Sequence, residues 1–227
     1  MFVSAVVPAA GFGLRLGEAL PKPLVSLQGK PIFIRTLEVL NRHPDIKEII
    51  LVVSRNALEA TKRSLKKYRF RKVGEVVLGG ARRSDSVRNG LKCISPRASL
   101  VLVHDAARPF VGLEMISRVI KEAVKCKAAI PGLPVKSTIK ELSAGGRVRR
   151  TLARERLYEI QTPQVFQREL IIKAYKKFSH YAAADDASLV ERLGVKVSVV
   201  AGSYSNIKIT TPEDLIFART ILKNSPH

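Results

Sequence analysis

The chain has two cysteines, four histidines and no tryptophan, and its 19 acidic residues face 40 lysines and arginines. Cys93 and Cys126 form no C-x-x-C pair, so neither a zinc site nor a disulfide framework is expected, and a reduced cytoplasm fits. No apolar run approaches the roughly 18–20 residues needed to cross a bilayer. Nor does a charged segment with a cleavage site precede the first apolar stretch, so no signal peptide is expected. Two familiar phosphate loops are missing as well. No G-x-x-x-x-G-K-[ST] string occurs, and a dinucleotide fingerprint fails because Leu16 stands where its third glycine belongs. Aromatics make up only 6%, and no helix-turn-helix, RNP or zinc signature appears. A specific nucleic-acid reader is therefore not expected, although charge alone would admit a basic nucleic-acid-binding protein with steep salt dependence.

What is present is a 46% hydrophobic chain of 227 residues with a formal net charge of +21, long enough to bury a full core. Such a field attracts anions: nucleic acid, anionic lipid or phosphorylated metabolites. The densest basic runs are Lys62–Lys72 and Arg147–Arg156. The first reads most simply as a solvated helix face and loop.

Apolar patterning predicts strands at Val3–Val7, Glu48–Val53, Val73–Leu78, Leu100–His104, Ala128–Ile130 and Val195–Val200. Pro8 is expected to stop the first. Helices are expected from Pro31 to about Asn41, from an Asn56 cap to about Lys67, from about Asp85 to Cys93, over Leu113–Lys125, near Gln167–Phe178, from near Asp185, and after a Thr211 cap. Strand–helix alternation is the signature of an α/β fold, a mostly parallel sheet with helices on both faces. Ligands in such sheets sit at the carboxyl ends of strands. Thr138–Leu142 and Val148–Thr151 flank the turn Ser143–Gly146, and they predict a hairpin projecting from the core. An exposed two-stranded arm is marginal alone, so it is expected to pack on a second copy of the chain or to fold back on its own domain.

Three stretches carry chemistry. Pro8, Ala9, Ala10, Gly11, Phe12 and Gly13 follow the first strand as a small-residue turn that lets a ligand approach the main chain. Arg15 and Lys22 follow, and backbone N–H groups with two cations describe a polyphosphate site. A plain strand-to-helix turn is the alternative. Asp105, in VHDAARP, sits at the tip of a buried strand, where one carboxylate with phosphate oxygens and waters suffices for Mg²⁺. Arg108 could meet a second anion or fix Asp105, or the two could be a purely structural pair. His104 reads as a packed or oriented ring. Gly79-Gly80 precedes a helix that Ser84, Asp85 or Ser86 could cap, while the glycine backbone and Ser86 could instead read a nucleobase edge.

Together the P-A-A-G-x-G-x-R-x(6)-K run, the GG…DSV segment, VHDAARP, TPQ and NIK-T-x-P-E-D resemble the 2-C-methyl-D-erythritol 4-phosphate cytidylyltransferases along essentially the whole chain. That resemblance implies a single Rossmann-like nucleotidyltransferase domain over residues 1–227 with a β-arm at about 136–154. It implies transfer of CMP from CTP to a sugar-alcohol phosphate on the non-mevalonate isoprenoid route, with release of pyrophosphate. The cofactor would be Mg²⁺, and the assembly a homodimer exchanging the arm. By position, Arg15 and Lys22 would be catalytic, and the loop 8–13 with Gly80 and Ser86 would hold the nucleotide. Asp105 would bind metal, and Arg108, Thr138, Arg154, Thr162 and Lys208 would hold the acceptor. The chain departs from the family at Pro23, Ala81, Ser137 and Ala184, mostly near the acceptor pocket. A sister activity on ribitol 5-phosphate and a non-catalytic interaction domain are the remaining alternatives.

Overall fold

The computed structural model describes residues 1–11 and 24–224. Its strands are β1 (Val3–Ala9), β2 (Ser26–Leu27), β3 (Lys30–Pro31), β4 (Ile46–Val53), β5 (Val73–Leu78), β6 (Leu100–Val103), β7 (Ala128–Pro134), β8 (Ile139–Leu142), β9 (Val148–Leu152), β10 (Tyr158–Ile160), β11 (Gln164–Gln167) and β12 (Ser198–Ala201). The helices are α1 (Ile32–Arg42), α2 (Leu58–Tyr68), α3 (Arg83–Leu91), α4 (Leu113–Cys126), α5 (Arg168–Lys177), α6 (Asp186–Glu191) and α7 (Pro212–Asn224).

Among the described residues, the main sheet runs β10-β7-β11-β6-β1-β4-β5, with β12 also paired to β7. The half built from β6, β1, β4 and β5 is parallel, and β11 and β10 enter antiparallel. Period-two alternation divides the core. Ala5, Val7, Leu51 and Leu102 meet α1 and α4 through Phe33, Leu37, Ile116 and Val119. Their neighbours Val6, Val52, Val101 and Val103 face α3, α5 and α6 through Val87, Ile171, Tyr175 and Leu189. Because both faces are covered, these strands read as continuous apolar runs. A smaller cluster ties α7 to β2 through Leu27, Ile209 and Leu215.

Several boundaries differ from the sequence reading, each for a local reason. Pro8 does not end β1, since Pro8 and Ala9 continue in register with Val52 and Val53. The ladder to β6 stops at Val6, and the Pro8 carbonyl accepts from Ala106 N–H on that side (3.3 Å). The missing proline donor therefore has no ladder partner to lose. Pro31 is the residue before α1 rather than its first. Asn56 does not cap α2, because a 3₁₀ turn over Arg55–Ala57 intervenes. Helix α3 starts two residues early because the Asp85 carboxylate, in its first turn, accepts from Arg82 N–H (3.1 Å). Strand β7 runs on through Pro131 to Pro134, paired by β12 and β10.

The projecting hairpin is present as β8 and β9. Its residues are largely exposed on both faces, including Leu142 and Val148. Arg149 and Arg150 both hold Glu141 across it (3.0 and 2.5 Å). No helix among the described residues is long and apolar enough to cross a membrane.

Candidate functional site

The carboxyl ends of β1, β5 and β6 meet at one edge, as the alternation implies. Gly79 N–H donates to the Val53 carbonyl (2.8 Å), which continues the β4–β5 ladder into the glycine pair. A methyl group on Gly79 would lie 2.5 Å from Ala10 Cβ and 2.6 Å from Ser86 Oγ, so only glycine lets the two loops touch. Ser86 is buried, and its hydroxyl accepts from Gly80 N–H (3.2 Å) and lies 3.3 Å from the Arg82 carbonyl, to which it donates. It clasps the turn in this structure. Gly11 is exposed with open space around it. Phe12, Gly13, Arg15, Lys22 and Pro23 lie outside the described residues.

Asp105 caps β6 with its side chain only 8% exposed, and it is the centre of the site. Arg83 Nε donates to its Oδ1 (2.9 Å), Lys208 Nζ reaches Oδ2 (2.7 Å), and Arg108 Nε stands 4.0 Å from the same oxygen. Burial alone would raise the Asp105 carboxyl, but Arg83, Lys208 and Arg108 outweigh it and hold the group well below the usual carboxylate range. Arg108 Nε is buried with no hydrogen-bond partner, although Nη1 donates to the Asn206 carbonyl (2.8 Å). A buried cationic donor without a hydrogen-bond partner, beside a partly exposed lysine, suits an anion. Lys208 arrives because Ile209 N–H donates to the Ala107 carbonyl (2.9 Å), pinning its extended segment against the turn after β6.

His104 supports this group from behind. It is fully buried, and that burial lowers it to about 4, so it is neutral at pH 7. Its Nε2 lies 3.1 Å from the Arg108 carbonyl, which can only accept, so Nε2 carries the proton. Nδ1 then accepts from the Thr162 hydroxyl (3.0 Å), whose oxygen takes the Asp105 N–H (3.1 Å). Both ring nitrogens are engaged, so His104 orients Thr162 and the turn and is no proton acceptor for a reaction. Asn206 closes the ring by donating to the Thr162 carbonyl (2.9 Å).

A divalent ion fits this donor set in one way. Among the described residues no group of three or more His, Cys, Asp or Glu side chains could form a protein cage. One buried carboxylate, with one oxygen held by a partly exposed lysine, suits a hard cation that takes its other ligands from phosphate and water.

The structure thus brings Pro8–Ala10, Gly80, Ser86, Asp105, Arg108, Thr162 and Lys208 to one edge. Thr138 and Arg154 are exposed at the base of the arm, where Arg154 Nη1 donates to the Lys136 carbonyl (2.5 Å). Two charged residues went unnoticed in the sequence. Arg83 touches Asp105, and Asp186 holds Arg83 Nη2 (2.8 Å). Their only signal was position, within the GG…DSV segment and beside Ala184.

Comparison with known proteins gives the family. Residues 3–224 match the family model described as IspD, 2-C-methyl-D-erythritol 4-phosphate cytidylyltransferase. A protein of that name from Syntrophus aciditrophicus is 46% identical over 224 residues, covering 97% of this chain and 96% of its own. One from Alkaliphilus metalliredigens is 44% identical, covering 97% and 92%. Among solved structures, a 4-diphosphocytidyl-2C-methyl-D-erythritol synthase from Anaerococcus prevotii superimposes with a TM-score of 0.87 at 38% identity, over 98% of this chain and 96% of that one. With a match this long in sequence and in fold, the chain belongs to the 2-C-methyl-D-erythritol 4-phosphate cytidylyltransferase family.

Proposed function

We propose that the chain joins CMP from CTP to 2-C-methyl-D-erythritol 4-phosphate and releases pyrophosphate, as a step of non-mevalonate isoprenoid synthesis. The observation that carries the site assignment is the cluster at Asp105, where Arg83, Arg108 and Lys208 surround one carboxylate at a strand tip. Two phosphate esters repel one another, and a cationic crevice offsets that repulsion.

Pro8 to Gly13, with Gly80 and Ser86, hold the nucleotide; Ala81 leaves the base contacts there to the backbone and Ser86. Arg15 and Lys22 neutralise charge that develops on the triphosphate. Asp105 is the ligand for Mg²⁺, which supplies charge neutralisation at the phosphates when bound. Arg108 and Lys208 take the acceptor phosphate, with Lys208 turning from Asp105 toward it. Thr162, held by His104 and the Asp105 N–H, lines the acceptor site beside them. Thr138 and Arg154 complete the acceptor site from the arm, about residues 136–154 of a single domain spanning 1–227. A homodimer places that arm over the partner's site, which accounts for its exposed apolar and basic residues. The cytoplasm is the compartment.

The reaction is an in-line displacement in which an oxygen of the acceptor phosphate attacks the α-phosphorus and pyrophosphate departs. An ionised phosphate needs no general base, which accords with His104 having both nitrogens engaged. The rates come from position and fixed charge. Pyrophosphate release measured across four nucleotides, with methylerythritol phosphate or ribitol 5-phosphate as acceptor, tests the assignment. The first acceptor with CTP is expected to dominate. Equal turnover of ribitol 5-phosphate, or of UTP, would overturn it.

A further inference from the structure

Asp186 is a buried carboxylate for which the reaction has no evident use. It is 0% exposed at the start of α6, and so cannot meet substrate. Its Oδ2 takes Arg83 Nη2 (2.8 Å) and its Oδ1 accepts from Tyr175 OH (2.5 Å). Gln164 Oε1 accepts from Asp186 N–H (3.1 Å) and Ala187 N–H (3.0 Å), fixing the helix start. A buried charge costs several kcal/mol unless fully paired, and here every partner is supplied. Arg83 is the only one of them that reaches the site.

We propose that Asp186, braced by Tyr175 and Gln164, is a positioning residue that clamps Arg83 so that Arg83 binds Oδ1 of Asp105 alone and leaves Oδ2, held here by Lys208 (2.7 Å), to the ion once Lys208 turns away. This deepens the function proposed above and rests on Asp105 as the metal ligand. A guanidinium is flat and forked, and an Arg–carboxylate pair left to itself favours two parallel hydrogen bonds. Here the fork is divided. Nε serves Asp105 and Nη2 serves Asp186, so Asp105 receives one bond from Arg83. Without the charge on Asp186, the guanidinium is free to rotate onto both oxygens of Asp105 and to compete for Oδ2. Removing a partner that orients a metal ligand typically weakens metal affinity by about 10–100-fold.

Manganese serves as the probe, with free Mn²⁺ followed by electron paramagnetic resonance during titration into enzyme and CTP. Asp186→Asn keeps the shape and removes the charge. Its Mn²⁺ dissociation constant is expected to rise about 10-fold or more. CTP affinity measured without metal should stay within about twofold, and turnover should recover in excess metal. Asp105→Asn is the reference. If it binds Mn²⁺ as tightly as the parent, the metal assignment itself fails. If Asp105→Asn loses the ion while Asp186→Asn keeps parental affinity, the clamp is wrong and the assignment stands. Should Asp186→Asn fail to fold, Tyr175→Phe and Arg83→Lys decide. The first is expected to weaken Mn²⁺ binding about 2–3-fold, and the second, which has no fork, about 10-fold. Parental affinity in both overturns the proposal.

Discussion

Replacing Gly79 with alanine tests whether the convergence of the two loops matters to catalysis. The added methyl would sit 2.5 Å from Ala10 Cβ and 2.6 Å from Ser86 Oγ, about 1 Å inside ordinary contact. Ser86 can rotate away, but Gly80 N–H then loses its acceptor. Ala10 has no rotatable side chain, so relief at that contact requires a backbone shift of the nucleotide loop. Overpacking of this kind costs about 1–3 kcal/mol. For a chain of this length that lowers the melting temperature by roughly 2–12 °C, which leaves the protein folded at 25 °C. The larger effect is expected in catalysis, since a misplacement of about 1 Å at a reacting centre can cost on the order of 10²-fold. Steady-state kcat/KM for CTP and thermal melts of Gly79→Ala measure both quantities. Gly74→Ala, at a site outside the arm with nothing within 4 Å, is the control and should change neither. A Gly79→Ala enzyme within twofold of the parent in kcat/KM, melting at the same temperature, would refute the idea that loop contact organises the site.

Lys22→Ala is expected to lower turnover by roughly 10²–10³-fold, as loss of other transition-state donors does, with single-turnover rates as the measure. Arg154→Ala should chiefly raise the acceptor KM, by about 10–100-fold for one lost charged contact. If the arm serves the partner's site, mixing Lys22→Ala with Arg154→Ala subunits restores roughly a quarter of parental activity, because half the random dimers carry one intact site. Asp85→Asn tests the start of α3. Hydrogen bonds from Arg82, with its charge and that of Arg88, hold Asp85 at about 2 against burial, below its ordinary 3.8. The folded pKa is depressed, so the contribution is complete above about pH 4 and is lost as pH falls through about 2. Urea titrations should show Asp85→Asn less stable by about 1 kcal/mol at neutral pH, with the gap closing on acidification.

Most of this frame is legible in residues close together in the chain. Continuous apolar runs mark β4 and β6 because both faces of the sheet are covered there, and glycines after β1 and β5 mark the carboxyl edge of the sheet. Pro8 was misread because the need for its N–H depends on a neighbouring strand that stops at Val103, nearly a hundred positions away. The clamp on Asp105 was illegible for the same reason. Arg83 and Asp186 are 103 residues apart, and a single ion pair between distant segments leaves no period in the sequence. His104 was read as a packed or oriented ring; its Arg108 partner is four residues on, but Thr162 emerges only when β11 is laid beside β6.

The most direct test of the central claim is the structure of the complex with CTP, Mg²⁺ and the acceptor. The account predicts both phosphate groups inside the ring formed by Arg15, Lys22, Arg108 and Lys208, with Asp105 on the ion and Lys208 turned from Asp105 to the acceptor. A complex in which Arg15 and Lys22 point into bulk solvent, or in which Lys208 stays on Asp105 while the acceptor binds elsewhere, would contradict it.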